Sequence, residues 1–345
     1  MMRLEGLGQP LHTRALSITL AARADGKLEV HGAVLDLRKR GLVPVAGDLQ
    51  GCGIIHDMRL TGVVDPESAI LETIAADQRS IAFEASAATA GESCRDPIAR
   101  VEMLAGSRLD AGWSRRLSQE IGGPRGCSHL LTLGHLLGSA TARALERDRI
   151  LYPTPPPRFP GQRVFKRDLV IDGHEPAEGR LQLAAQLNDV HFAPAPALAR
   201  PMERFAEDLG VQVLAGLDLA TMKLTDMHAA ERQRSASDLG AAWQERDDRI
   251  AWMTGSRLGG GITGELFTRF GADADGRPLL DTLLMLAPAL VQCMAALSDV
   301  WLASAQANPT LVGMGGLSDS CYMWRRDGAL QRAREAEGGW EPRRP

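Results

Sequence analysis

A pattern of residues near the start of the 345-residue chain returns 153 positions later, and this repeat limits the possible folds most strongly. The spacing Arg-x-Leu-x-Ile occurs at 14–18 and again at 167–171, and Asp36 is matched by Asp189. The tetrapeptide Gly-Ser-Arg-Leu at 106–109 returns at 255–258, so short gaps are enough to align the two stretches. We therefore predict a tandem duplication whose two copies pair about a pseudo-two-fold axis.

Within the first copy, hydrophobic periodicity changes from strand-like to helix-like along the chain. Alternation at 14–18 and 28–37 predicts a β-hairpin, and a second hairpin is expected from 54–60 and 70–83. Apolar residues spaced by three and four then predict helices, the last of which begins near Cys127. We expect an α+β protein with two tandem repeats, each an antiparallel hairpin-rich sheet backed by C-terminal helices.

The repeat and one proline-rich stretch set the expected domain boundaries. The expected segments are a first repeat that carries the candidate site (14–150), a Pro-rich linker (151–166), a second, degenerate repeat (167–305) and a C-terminal tail with Cys321 (306–345). Residues before 14 are expected to lie outside the repeat, as a loose leader.

Composition excludes several classes of protein. A net charge of −4 and an aromatic content of 4% do not favour binding to nucleic acid. Five cysteines without a dense framework are typical of a reducing compartment, and the N-terminus shows no secretory signal. The longest apolar tract, 279–291, contains Asp281 and Pro288 and is short for a membrane span. We expect a cytoplasmic protein with a small-molecule substrate and no membrane partner; a homodimer is compatible with this composition.

The segment 122–131 joins a glycine-rich turn to an apolar helix and places reactive side chains at the helix start. Cys127 and His129 lie there, where free backbone N–H groups and the helix dipole favour a thiolate or a bound anion. Cys127 is thus a candidate nucleophile. On a helix, residues i and i+2 point apart, which makes His56 the better base for it than His129.

The other candidate residues also lie in the first copy. His56 and Asp57 are adjacent on an expected strand, so only one of them can face a given pocket, where it could act in acid–base chemistry. Cys94, Cys127 and His56 could together bind zinc or iron, although no Cys-x-x-Cys pair is present. A site without metal, or thiols that only pack in the core, are equally compatible with the pattern.

The second copy keeps the packing residues of the first and loses its thiols and imidazoles. Arg277–Leu280 stands where the first copy has 126–129, and roughly Asp208-Leu209 and Arg246 stand opposite His56-Asp57 and Cys94. We therefore expect one chemically equipped half and one structural half, with a pocket at or near their contact.

Several of these motifs resemble a bacterial family known as domain of unknown function 2889. They are Ile-His-Asp-Met at 55–58, Cys94, Gly112-Trp113, the Gly-Gly-x-x-Gly-Cys-x-His-Leu stretch at 122–130, and the Cys321 motif at 320–328. The resemblance implies a setting in acyl-CoA, aromatic or steroid breakdown, and it assigns no activity. Tyr322 stands where many relatives are expected to have histidine. The order of elements is also distantly similar to the iron–sulfur cluster scaffold fold, in which a strand end and two helix starts bind the metal.

The function that these residues favour is that of a small-molecule enzyme. We expect a hydrolase or lyase that acts on an apolar or CoA-linked catabolic intermediate, with His56, Asp57, Cys127 and His129 as catalytic residues. Two alternatives remain open: a non-catalytic metal or iron–sulfur carrier that uses the same residues, and an accessory binding subunit.

Overall fold

The computed structural model describes residues 8–45, 48–196, 198–259, 261–271, 273–300 and 316–336. The expected α+β class is confirmed, because a large antiparallel sheet carries helices on one side. The start of the expected leader (1–7) and the expected boundary at 305/306 lie outside the described residues.

Four long strands and three short ones come from the first part of the chain. They are β1 (Gln9–Ala22), β2 (Leu28–Arg38), β3 (Val43–Val45), β4 (Asp48–Gln50), β5 (Gly53–Val64), β6 (Ile70–Ser80) and β7 (Ser107–Arg108). Two helices, α1 (Trp113–Ile121) and α2 (Ser128–Leu151), follow them. Short 3₁₀ turns lie at Ile98–Leu104 and Gly123–Arg125.

The later part of the chain repeats this order of strands and then helices. Its strands are β8 (Arg163–Glu175), β9 (Arg180–Phe192), β10 (Phe205–Asp218), β11 (Lys223–Ser235) and β12 (Gln244–Glu245). Its helices are α3 (Asp247–Ile250), α4 (Ile262–Phe270), α5 (Arg277–Leu284), α6 (Leu286–Ala295) and α7 (Ala329–Ala336). The 3₁₀ turns of this part lie at Pro201–Arg204, Ala251–Met253 and Tyr322–Trp324.

Ten strands form one sheet with two matching halves, because from either edge one short strand is followed by four long ones. The order is β12-β11-β10-β9-β8-β1-β2-β5-β6-β7, with β1 and β8 side by side at its centre. Arg14 lies opposite Asp36 in the first half, and Arg167 lies opposite Asp189 in the second. A tandem duplication would produce this symmetry; the duplication itself stays a prediction, and so does the similarity to the iron–sulfur scaffold fold.

The first strand begins earlier than the sequence predicted. The expected repeat starts at 14, whereas β1 begins at Gln9 and already buries Leu11 and His12. His12 and Arg14 lie on the buried face of the strand, and these polar residues interrupt the apolar alternation that marks a strand in a sequence.

The helices cover one face of the sheet and close its main hydrophobic core. Apolar side chains of β1, β2 and β5 pack there against α2, and α5 and α6 pack on the central and second-half strands. The segment Arg277–Ala295 has the length and mean hydropathy, 1.5, of a membrane-spanning helix. Buried core helices meet the same criteria, and 61% of this segment is buried inside the protein.

Candidate functional site

Asp36 is the centre of a buried polar cluster between the sheet and α2. Its carboxylate is fully buried, and three histidines surround it. His56 Nδ1 lies 3.1 Å from Oδ2, His129 Nε2 lies 3.4 Å from Oδ2, and His12 Nε2 lies 3.6 Å from Oδ1. The guanidinium of Arg14 completes the cluster, with Nη1 at 3.4 Å from both carboxylate oxygens. We call these five residues the Asp36 cluster.

Strand register brings most of this cluster together. Asp36 on β2 is directly opposite Arg14 on β1 and directly opposite His56 on β5. Side chains of paired residues in an antiparallel sheet point to the same face. His12 is two residues before Arg14 and therefore shares that face. The three adjacent strands β1, β2 and β5 thus place four polar side chains in one patch under α2.

The fifth member comes from the first turn of α2, where the structure corrects one sequence prediction. His129 was expected to point away from Cys127, yet Cys127 Sγ lies 4.0 Å from His129 Nδ1. Cys127 is the N-cap residue and has extended backbone (φ −96°, ψ 124°), so the spacing of a regular helix does not apply to it. Among the described residues, the imidazole that contacts this thiol is that of His129.

The charge on Asp36 is held by its neighbours. Burial alone would raise the pKa of this carboxyl, but the attraction of Arg14 and the hydrogen bond from His56 outweigh it. The pKa of Asp36 therefore lies well below its ordinary value. An ionised Asp36 accepts hydrogen bonds only, so His56 Nδ1, which hydrogen-bonds to it, carries the proton and donates.

Two of the histidines are held in the neutral form. Burial lowers the pKa of His12 to about 4, and the positive charge of Arg14 adds to this effect. Burial, followed by repulsion from His56, lowers the pKa of His129 well below its ordinary value. The rings of His56 and His129 lie 3.7 Å apart between centroids. Neutral imidazole is the form that accepts a proton or binds a metal ion.

The other predicted site residues lie elsewhere. Asp57 is on the opposite face of β5, with its side chain 23% exposed and 3.6 Å from Arg59 Nε. The expectation that only one of His56 and Asp57 faces the pocket fits this placement, and the inward one is His56. Asp57 therefore does not contact the cluster that His56 and His129 form.

The thiols form a group beside the cluster. Cys94 packs against both the main core and the small core of Met323, Trp324 and Leu330, and Cys321 packs against the latter. The Cys127 thiol lies 3.8 Å from Met58 Sδ, and burial raises its pKa to about 11. This is the reverse of the lowered pKa expected at a helix start, because desolvation of the thiolate outweighs the backbone N–H groups.

The residues that could bind a metal ion differ from the predicted set of Cys94, Cys127 and His56. Within the described parts of the chain, the donor atoms that lie within 4.8 Å of one another belong to Asp36, His56 and His129. Both ring nitrogens of the buried His12 lack a hydrogen-bond partner, which leaves a third imidazole free nearby. Two imidazoles and one carboxylate suit zinc or a non-haem iron. Arg14, however, already neutralises the carboxylate.

Sequence reasoning missed the carboxylate at the centre of the site. Asp36 and Arg14 were recognised as repeated residues and not as site residues. A usable signal was present on α2, where polar residues recur at helical spacing: His129, Thr132, His135, Ser139 and Arg143. This polar row meets Arg14 and Asp36 at one end and Asp189 and Asp281 further along.

Comparison with known proteins shows a family resemblance in the first part of the chain. Residues 12–143 match the profile of a family described as "Protein of unknown function (DUF2889)". This range contains the whole Asp36 cluster, from His12 to His129. No curated protein and no solved structure matches the chain.

Proposed function

We propose that this chain, which resembles the DUF2889 family over residues 12–143, is a small-molecule enzyme of hydrolase or lyase type. Its reactive centre is the Asp36 cluster, and its substrate is an apolar or CoA-linked catabolic intermediate. One observation carries the proposal: two imidazoles, of His56 and His129, face the same buried, ionised carboxylate. The lowered pKa values of His129 and Asp36, and the charge partner that His129 shares with His56, make this group a candidate for a functional site.

His56 is the candidate general base. Its Nδ1–H donates to Asp36, so Nε2 is left as an acceptor for a substrate proton or for the proton of a water molecule. The ionised carboxylate orients the ring and stabilises the imidazolium that forms when the proton is taken up. Both hydrolysis and elimination need this step, and for this reason the proposal covers both reaction types.

His129 connects the cluster to the second half of the chain. Its Nε2 lies 3.3 Å from the amide nitrogen of Gln292 on α6, and its side chain is 15% exposed, more than that of any other member. A substrate would therefore approach His129 near the contact of the two halves. This position supports the expectation of a pocket at or near that contact.

The alternative is a metal or iron–sulfur carrier, and one specific observation favours a metal ion. The donor atoms of Asp36, His56 and His129 are close enough to one another to bind a single ion. Neutral His129 needs no deprotonation before it binds. A bound zinc or iron would supply Lewis-acid or redox chemistry at the position that His56 and His129 face.

The experiment compares His56→Asn and His129→Asn with Asp57→Asn in the full-length protein. Each variant is incubated with a panel of acyl-CoA thioesters and of enoyl- or hydroxyacyl-CoA substrates, and the products are separated by chromatography. We expect the two histidine variants to lose about 10²–10⁴-fold in rate, as is typical when a general base is removed. Asp57→Asn, on the opposite face of the same strand, should retain the wild-type rate.

Elemental mass spectrometry on the same preparations separates the enzyme from the carrier. A near-stoichiometric metal that both histidine variants lose, together with no turnover of any substrate, would favour the carrier. Equal turnover in wild type, His56→Asn and His129→Asn would contradict the proposed centre.

A further inference from the structure

A second chain of polar side chains, outside the Asp36 cluster, joins a serine, a histidine and an aspartate. Ser114 Oγ lies 2.9 Å from His135 Nδ1, and His135 Nε2 lies 3.4 Å from Asp281 Oδ1. His135 Nε2 and Asp281 Oδ1 are both buried, and neither has a hydrogen-bond partner among the described residues, because their mutual distance of 3.4 Å is an ion-pair contact and not a hydrogen bond. Each of these two atoms thus faces the other as its polar neighbour.

The three residues come from three helices and from both halves of the chain. Ser114 is the second residue of α1, His135 lies in the polar row of α2, and Asp281 lies on α5. Helix α1 approaches α2 closely because Gly134 and Gly138 present no side chain to it, and the Trp113 indole donates to the Gly134 carbonyl. The packing of α1 on α2 thus fixes Ser114 against His135.

The other contacts of Asp281 determine where the protons lie on Ser114, His135 and Asp281. Burial would raise the pKa of Asp281, but the Arg167 guanidinium and the hydrogen bonds to this carboxylate lower it. Arg167 and Ser139 both donate to Oδ2, which leaves Oδ1 for His135. An ionised Asp281 can only accept, so Nε2 of His135 carries the proton and Nδ1 accepts from the Ser114 hydroxyl.

This order of donors is the one that activates a serine nucleophile. We propose that Ser114, His135 and Asp281 form a second catalytic site that cleaves carboxylic esters or thioesters through an acyl-serine. The acidic partner comes from the second half, so the site is complete only when both halves are packed together. The proposal does not rest on the Asp36 cluster, since it shares no residue with it.

The proposed reaction needs only an acyl substrate and water. Ser114 Oγ bonds to the carbonyl carbon while its proton passes to His135 Nδ1, and the leaving alcohol or thiol takes that proton as its bond to carbon breaks. Water then attacks the acyl-serine and gives a proton to the same nitrogen, which passes it to Ser114 Oγ as the bond from Oγ to the acyl carbon breaks, so that the carboxylic acid and the free serine are released. Asp281 keeps its charge throughout and stabilises the imidazolium.

The surroundings indicate which acyl groups would fit. The ring of Phe267 meets His135 edge-to-face at 5.8 Å, and it is partly exposed. This offers an apolar surface beside the reacting atoms. Ser114 lies in the first turn of α1, where backbone N–H groups without helical partners can stabilise an oxyanion. We therefore expect apolar acyl groups to be preferred.

The test is covalent labelling of the full-length protein by an alkyl fluorophosphonate, followed by intact-mass measurement and peptide mapping. We expect one adduct, on Ser114. Ser114→Ala should abolish it, and His135→Gln should slow it about 100-fold or more. Ser118→Ala, one turn further on the same helix and exposed, should label as fast as wild type.

Two results would overturn the proposal. One is the absence of any adduct on wild-type protein at probe concentrations that label a known serine esterase. The other is an adduct that persists in Ser114→Ala. Thermal melts of the three variants must match wild type, and if His135→Gln unfolds, His135→Asn replaces it and should slow the labelling by a similar factor. His56→Asn leaves this labelling unchanged, which separates this site from the first.

Discussion

The Trp113 indole Nε1 donates a hydrogen bond of 2.9 Å to the backbone carbonyl of Gly134. A tryptophan ring can approach a helix backbone this closely only where side chains are missing. A Cβ built on Gly138 would meet the same indole nitrogen at 2.1 Å, and one on Gly134 would meet Leu117 at 2.9 Å. The two glycines of α2 therefore set its distance from α1.

This contact predicts that Gly138→Ala destabilises the protein, although alanine is the better helix former. The new methyl group overlaps the Trp113 ring, and such overpacking costs about 1–3 kcal/mol in unfolding free energy. Gly264→Ala on α4 is the matched control, because nothing lies within 4 Å of its Cβ position. There we expect a gain of about 0.5–1 kcal/mol. Urea unfolding measures both, and a Gly138→Ala protein as stable as wild type would contradict the packing described.

The Arg14–Asp36 contact predicts a large loss of stability when only one partner is removed. Asp36→Ala leaves a buried guanidinium without its counter-charge, and we expect the unfolding free energy to fall by about 3–5 kcal/mol. The double variant Arg14→Met/Asp36→Leu removes both charges and should recover much of this loss. Asp57→Asn is the control and should change stability by less than about 0.5 kcal/mol. If the double variant lost as much stability as Asp36→Ala, the cost would not come from the unpaired charge.

Much of the local structure followed from the sequence, and the reason is that local patterns determine it. Alternation placed β5 and β6, and the turn at Gly122–Gly126 placed the start of α2 after Cys127. The polar partners could not be found in this way. Asp36 contacts His129 because the register of β2 on β5 places Asp36 opposite His56, and because α2 crosses the sheet above these two residues. Both conditions depend on contacts between residues distant in sequence.

The sequence predicted the wrong direction for the pKa shift of Cys127, and the reason is again a contact between residues distant in sequence. The sequence predicted that the thiol lies at a helix start, which is confirmed, but it could not show how deeply that start is buried. Desolvation by residues distant in sequence, such as Met58, reverses the expected direction of the pKa shift. The serine, histidine and aspartate of the second site were missed because they come from three helices, 146 and 21 positions apart along the chain.

The burial of His191 predicts that the protein loses stability in weak acid. Burial lowers its pKa in the folded protein, although Glu207, Asp148 and Asp189 nearby act in the opposite direction. It lies against the Phe165 ring, and its Nε2 faces the Ala144 carbonyl at 3.1 Å. The unfolded chain takes up this proton first, near pH 6.5, so the unfolding free energy decreases as the pH falls below about 6.5.

The measurement is urea unfolding at several pH values between 7.5 and 5.5. His191→Gln keeps a donor for the Ala144 carbonyl but cannot be protonated, so its stability should fall less with acid than that of wild type. His31→Gln, at an exposed position, is the control for the loss of one histidine and should follow wild type. An unchanged pH dependence in His191→Gln would show that other groups dominate it.

The burial of Cys127 predicts that its thiol reacts slowly in the folded protein. With a pKa of about 11, only about one thiol in a thousand is ionised at pH 8, and the thiolate is the reactive form. We expect iodoacetamide to alkylate the exposed Cys52 at least about 100-fold faster, and the rate at Cys127 to rise about tenfold per pH unit between 8 and 10. Peptide mass spectrometry over time measures both rates, and denaturation should make them equal. If native Cys127 reacted as fast as Cys52, its thiol would be ionised or accessible to the reagent in the folded protein. A role as nucleophile beside His129 would then again explain why Cys127 stands at the start of α2.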